Sequence, residues 1–353
     1  MTTTEAVPDM RTSMPLTHAT LPRWAPILVG GLSLAAGGLL AVLFGWGIVA
    51  TVVLAGLVYI IALPCWSFVV ENRRAATERA MTTLVWAAFV TALVPLVWLV
   101  FLVVTKGVQA ISVDFLTHDS HNPLAADVGI AHALVGTLLV TLITAIISVP
   151  IGVMTAIFLV EYGKRSRLAR WITFLVDVMT GIPSIVAGLF ALALLVLLFG
   201  PAFRAGIGGS IALSLLMIPT VVRSSEEMFR LVPDDLREAS YALGVPQWRT
   251  IVKVVLPTAL AGVVTGVVLA ISRVIGETAP LLVVAGATDG VNTNLFDGRM
   301  TTLPVFIYSQ YTTSTPVGYE RAWGGALVLI VLVMVLNLTA RVIGRIFSPA
   351  KSD

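Results

Sequence analysis

Charge is scarce in this 353-residue chain. Asp, Glu, Lys and Arg together make up 12% of it, about half the share expected of a soluble domain. Cysteine is scarcer still: Cys65 stands alone, which excludes a disulfide framework and a thiolate metal cluster. Because it lies in an apolar run, Cys65 is expected to be a buried, inert thiol. There are four histidines and no H-E-x-x-H, so no metal site is expected. There is no G-x-x-x-x-G-K-[ST] phosphate loop, so the chain is not expected to hydrolyse ATP, and no constellation of catalytic residues stands out. The net charge of +3 is too small and too dispersed to suggest nucleic-acid binding.

What the chain has in quantity is apolar sequence: 58% hydrophobic residues and a mean hydropathy of +0.97. A membrane-spanning helix needs ~20 mostly apolar residues. Eight such runs occur, at about 27–44, 48–70, 81–104, 131–160, 171–199, 207–222, 258–285 and 323–346. They are continuous rather than alternating, which argues for helices and against a transmembrane barrel. The expected fold is an all-α membrane protein with about eight spans.

The basic residues orient it. With the N-terminus inside, 17 of the 22 Lys and Arg residues fall in inside segments and four in outside loops, with Arg273 alone deep in a span. By the positive-inside rule both termini and the 223–257 loop are cytoplasmic. Four stretches follow along the chain: a polar, Pro-containing tail over 1–25, expected to be disordered; a hairpin with a basic loop over 26–79; a helical core over 80–347; and a short tail over 348–353. His118, His121, Asp114, Asp119 and Asp127 cluster in the outside loop 105–130 without metal-ligand spacing, and read as a solvated loop.

The most informative polar segment lies in the 223–257 loop. Glu238, Ala239 and Ser240 are followed by Gly244 and, further on, by Leu256-Pro257. A short helix ended by Gly244-Val245-Pro246 and a second helical stretch over Gln247–Val255 fit this pattern. Such a helix lying across the membrane face can act as a lever, and the small Ala239 and Ser240 would let it seat closely in a partner's cleft.

Inside the membrane, Arg273 lies about 18–22 Å from either end of its run at ~1.5 Å per residue. Glu277, four residues on, is expected on the same helical face as an ion-pair partner. Intramembrane ionisable residues usually mark a pathway, and Arg suits a tetrahedral oxyanion. Arg223 and Glu226 lie where their run meets the cytoplasm; topology alone explains Arg223. Asp177 is expected to be a helix–helix hydrogen-bond partner rather than a proton site. Gly181 and Pro183 interrupt their run and suit a kink or gate.

Several segments together resemble the A-type permease of the bacterial phosphate ABC importer (PstA-type). They are Thr180–Phe190, Val222–Glu226 through Leu231–Pro233, Arg237–Gly244, Arg273–Leu282, Leu303–Tyr308 and Ala322-Trp323. The 238–257 spacing resembles the "EAA" loop shared by many importer permeases, while Arg273-Val-Ile-Gly-Glu-Thr-Ala-Pro280 is more specific. The resemblance implies a six-helix permease core preceded by an extra N-terminal transmembrane hairpin, in the cytoplasmic membrane. It implies a sister C-type permease, an ATPase dimer that binds ATP and Mg, and an external phosphate-binding protein as partners, with no cofactor in this chain. It also implies phosphate passage past Arg273, Arg223 and Glu226, with Glu277 beside them, and ATPase docking through Glu238, Ala239, Ser240, Gly244, Leu256 and Pro257. An importer for another oxyanion or nutrient, and less favourably an ion-coupled transporter using Asp177 or Glu277, remain alternatives.

Overall fold

The computed structural model describes residues 20–120, 129–163, 166–201 and 203–346. Most of the N-terminal tail, His121, Asp127, Lys164, Arg165 and residues 347–353 lie outside the described residues. Among the described residues all regular structure is helical. Among the described residues seven helices are long and apolar enough to cross a membrane, or up to eight crossings if one bent pair counts as a span. The chain divides into two compact units, one through Val100 and one from Phe101.

In the first unit, α1 (Ala25–Leu43) and α2 (Ile48–Val70) form a hairpin, and α3 (Arg73–Ala110) begins. The buried residues of α1 are Ala25, Val29, Ser33, Gly37 and Ala41, one every fourth position, so small side chains make a single stripe. That stripe lets two backbones approach closely: a Cβ on Gly37 would lie 2.8 Å from both Ala55 N and Thr51 O. Large apolar side chains point outward instead, as on α3 from Leu84 to Val100. Cys65 is on this exposed side of α2 and not buried, because the helix turns its Ala55, Leu63 and Ser67 face inward. At the α2–α3 turn, Glu71 accepts a fork from Arg79 (Nη2 to Oε1 2.8 Å, Nε to Oε2 3.0 Å), plus Leu21 N at 2.7 Å and Ser67 Oγ at 2.5 Å. The Arg79 hydrogen bonds, reinforced by those of Ser67 and Leu21, pull the Glu71 carboxyl down to about 2.

The second unit is built around one helix. After α4 (Val113–Thr117) comes α5 (Ala131–Ile157), which ends in a wider π-helical turn, Phe158–Tyr162. Then come α6 (Arg167–Thr180), α7 (Ser184–Phe199) and α8 (Gly206–Arg230). Helices α5 and α8 run parallel: Ser210 Oγ donates to Val140 O at 3.1 Å, and further along a Cβ on Gly152 would meet Val221 at 2.5 Å. On its other side α8 meets α11 (Leu256–Val274) in the opposite sense, with Gly262 against Met228 and Gly266 against Ser224. Glycines four apart permit this approach. Val140, Leu213, Met217, Val221, Ala270 and Val274 form the apolar centre. The chain between α8 and α11 holds α9 (Asp234–Ala242), α10 (Gln247–Thr250) and a second π-helical turn, Ile251–Val255. Three further helices follow: α12 (Ala279–Val284), α13 (Leu303–Thr312) and α14 (Pro316–Ile346).

Two apolar runs are not single helices. The 171–199 run is bent by 109° between α6 and α7. Pro183 has no N–H to donate and forces Ile182 out of the helical region. The 258–285 run stops at Val274, turns through Ile275–Thr278 and restarts as α12, with Pro280 in its first turn. Conversely, the 207–222 run continues helically to Arg230.

Gly37→Leu is expected to force α1 from α2 at a cost of about 1–3 kcal/mol, seen as a lower thermal midpoint in detergent. Gly31→Leu, where an added Cβ meets open space, should leave that midpoint unchanged. Because the folded Glu71 carboxyl titrates below its ordinary value, its contribution is complete above ~4.5 and is lost as pH falls toward about 2. A melting-temperature series over that window should show a drop that Glu71→Gln largely removes.

Candidate functional site

The loop between α8 and α11 is a compact helical unit. Pro233 opens α9, and the helix ends at Gly244, whose φ of +74° is left-handed. Gly244 N donates to Tyr241 O at 2.9 Å and Val245 N to Ser240 O at 3.2 Å, the paired bonds of a Schellman ending. Glu238, Ala239, Gly244 and Pro257 are exposed, while Leu256 is half-buried. Around them the unit presents Leu231, Leu243 (83% exposed) and Trp248 to the outside. Ser240 differs from expectation: it is buried, and its hydroxyl lies 2.8 Å from that of Thr250. It therefore ties α9 to α10 rather than facing a partner's cleft, because on a helix the residues flanking exposed Ala239 turn to opposite sides.

The same unit is fastened to the membrane helices by Arg237, which the sequence marks as a positive charge and as the start of the Arg237–Gly244 segment but not as a site residue. Arg237 is buried, and each of its five N–H groups has an acceptor. Nε and Nη2 donate to Glu161 Oε1 at 3.1 and 2.8 Å, and Nη2 also to Phe229 O at 2.9 Å. Nη1 donates to Val232 O at 2.6 Å and Asp234 Oδ1 at 3.2 Å. Glu161 lies in the π-helical turn that ends α5, and its backbone carbonyl accepts Gln247 Nε2 at 2.8 Å. Removing one partner of such a buried pair leaves an uncompensated charge and costs about 3–5 kcal/mol. The available signal was Glu161, a lone acid ending a long apolar run; its partner lies 76 residues away.

Arg223 and Glu226 are brought together within a small network at the end of α8. Arg223 Nη1 donates to Glu226 Oε2 at 2.8 Å, and Arg230 Nη2 to Glu226 Oε1 at 2.6 Å. The other Arg223 nitrogen pairs with Asp177 of α6. Asp177 thus joins two helices, as its placement suggested, and Arg223 has two carboxylate partners.

Arg273 is not deep within a helix. It sits exposed in the last turn of α11, and Glu277 lies beyond the helix end, so the fourth-residue spacing no longer puts them on one face. Among the described residues no ion pair joins them. They do line one cavity of about 180 Å³, with Thr180, Ile182 and Ser184 from the α6–α7 break and Leu216, Pro219 and Thr220 from α8. Both helix breaks therefore open on the same polar space, which combines one cation, one carboxylate and several hydroxyls. Gly181 and Pro183 form the bend beside it. Among the described residues no group of three or more His, Cys, Asp or Glu side chains is arranged to hold a metal.

Residues 148–353 match the family described as "Binding-protein-dependent transport system inner membrane component". The chain is 46% identical over 274 residues to phosphate transport system permease protein PstA 1 of Mycobacterium tuberculosis, covering 77% of this chain and 90% of that protein. It is 47% identical over 272 residues to PstA of Mycobacterium leprae, covering 76% and 89%. A chain of the MetNI methionine ABC transporter in an inward-facing conformation is 21% identical, with a TM-score of 0.48 over 63% of this chain and 95% of that one. This multi-pass membrane protein belongs to the binding-protein-dependent transport permeases and, among them, to the PstA type.

Proposed function

We propose that this chain is the permease subunit of an ATP-driven importer that passes inorganic phosphate inward from an external binding protein. The observation that carries this reading is the 46% identity to a phosphate transport permease over nine-tenths of that protein's length. The cavity supports it: Arg273 supplies the planar cation that suits an oxyanion, and hydroxyls from Thr180, Ser184 and Thr220 surround it. Glu277 keeps the local charge near neutral, which favours release over trapping. Arg223 and Glu226 continue the polar track toward the inner face, and the Gly181–Pro183 bend is the gate.

The α9–α10 unit is the docking surface for an ATPase dimer that binds ATP and Mg. Its exposed apolar side chains around Glu238 and Ala239, on a helix closed by the Schellman ending at Gly244, support that role. The chain works beside a sister C-type permease in the inner membrane of the cell, with both termini cytoplasmic. The mechanism is alternating access, which requires docking contacts that differ between inward and outward forms. Uptake of phosphate against sulfate and molybdate tests the substrate; uptake that outlasts loss of the ATPase but collapses with the proton gradient would replace this reading with an ion-coupled transporter.

Arg273→Gln should lower phosphate uptake by about tenfold or more while the complex still assembles; uptake at the parental rate would remove Arg273 from the pathway. Gly244→Val places a β-branched residue at a left-handed position, costing about 1–2 kcal/mol locally and unseating the end of α9. Less ATPase should then co-purify with the permease. Unchanged co-purification would sink the docking assignment.

A further inference from the structure

We infer that Glu161 is the fulcrum through which the docking unit moves the transport cavity, with Arg237 as the positioning residue that grips it. This rests on reading α9–α10 as the ATPase-docking surface. The covalent chain is a poor transmitter of force here. Helix α9 is bounded by Leu231–Pro233 on one side and Leu243–Pro246 on the other, and both connections are turns closed by proline. A helix hung between two such turns swivels unless noncovalent ties hold it.

Those ties converge on one residue. Arg237 from α9 takes the Glu161 side chain, and Gln247 from α10 takes the Glu161 backbone carbonyl at 2.8 Å. Both halves of the docking unit thus hold the end of α5 at a single point, while Ser240 and Thr250 lock the halves together. The same guanidinium takes Phe229 O in the last turn of α8 and Val232 O just past its end. One side chain therefore joins the docking helix to both parallel helices.

The other end of this linkage is the cavity wall. Leu216, Pro219 and Thr220 of α8 line the space that holds Arg273 and Glu277. From Phe229 to Thr220 is about 14 Å of helix at ~1.5 Å per residue. Along that stretch α5 is pressed against α8 at Gly152 and Val221, so a pull at the Glu161–Arg237 joint displaces the two helices together. Pro219, which removes a helix hydrogen bond, is where α8 can bend beside the cavity.

The experiment uses the whole complex reconstituted in liposomes, scoring ATPase retention, ATP hydrolysis and phosphate moved per ATP. The parent is scored first. If no Walker-motif subunit accompanies it, the docking reading and the fulcrum fall together. With a retained ATPase, Glu161→Gln and Arg237→Lys should keep hydrolysing ATP while phosphate moved per ATP falls about tenfold. Lys supplies three donors from a single point and cannot reproduce the five-bond fork. A lower melting temperature with the parental phosphate-to-ATP ratio would reduce the pair to a structural contact and overturn the inference. Should both variants fail to assemble, Gln247→Ala removes only the second grip, from an exposed residue; a several-fold fall in the ratio supports the fulcrum, and an unchanged ratio overturns it.

Discussion

Everything in this architecture follows from a solvent that offers no hydrogen bonds. In a bilayer each backbone N–H and C=O must find a partner within the protein, so the chain is helical wherever it meets lipid. Irregular backbone is tolerated at that depth only where it is enclosed or lines a wet cavity. The two interruptions of the apolar runs, at Gly181–Pro183 and Ile275–Thr278, obey this rule together: residues from both line the same polar cavity. The breaks are therefore best understood as one feature. Each releases backbone groups that the cavity can hydrate, and each sets two polar residues, Thr180 and Ser184 or Arg273 and Glu277, in the wall of that cavity.

The same solvent inverts the usual rule for packing. Lipid gives large apolar side chains little reason to turn inward, so the closest helix contacts are made where a glycine of one helix admits the other: Gly37 against Ala55, Gly152 against Val221, Gly262 against Met228 and Gly266 against Ser224. Helix α8 can serve as the axis of its unit because glycines of α5 and α11 admit it at close range from two sides. Buried Ser210 and Thr144 then find acceptors on neighbouring backbone at or near hydrogen-bond distance.

Hydropathy and charge made most of the fold legible, since long apolar runs are locally encoded. Hydropathy failed at 275–278 because Val274, Ile275, Leu281 and Leu282 keep the average high across the turn; Gly276 and Pro280 were the only local marks of it. The error displaced Arg273 from the middle of an imagined span to the end of a real helix. The Gly244 ending was readable because a left-handed residue is a local requirement. Ser240 was misread because exposure around a short helix depends on what packs beneath it, here Thr250. The Glu161–Arg237 joint could not be read at all from periodicity, since two charged residues 76 positions apart share no pattern.

The ionic contacts fall into two kinds, and the difference bears on how such a molecule changes shape. Glu161 and Arg237 have side-chain exposures of 3% and 8%, and every guanidinium N–H is committed. Separating them would leave charges stranded, so this joint travels as a rigid body. Asp177 and Arg223 are 60% and 32% exposed, where water screens the charges and an ion pair contributes about 0–1 kcal/mol. Arg223 also retains Glu226 if Asp177 is released. A transition between two states must exchange contacts at low cost, and the α6–α8 contact meets that condition while the α5–α9 contact does not. Rearrangement thus belongs at the end of α6, next to the Gly181–Pro183 bend, and transmission belongs at Glu161.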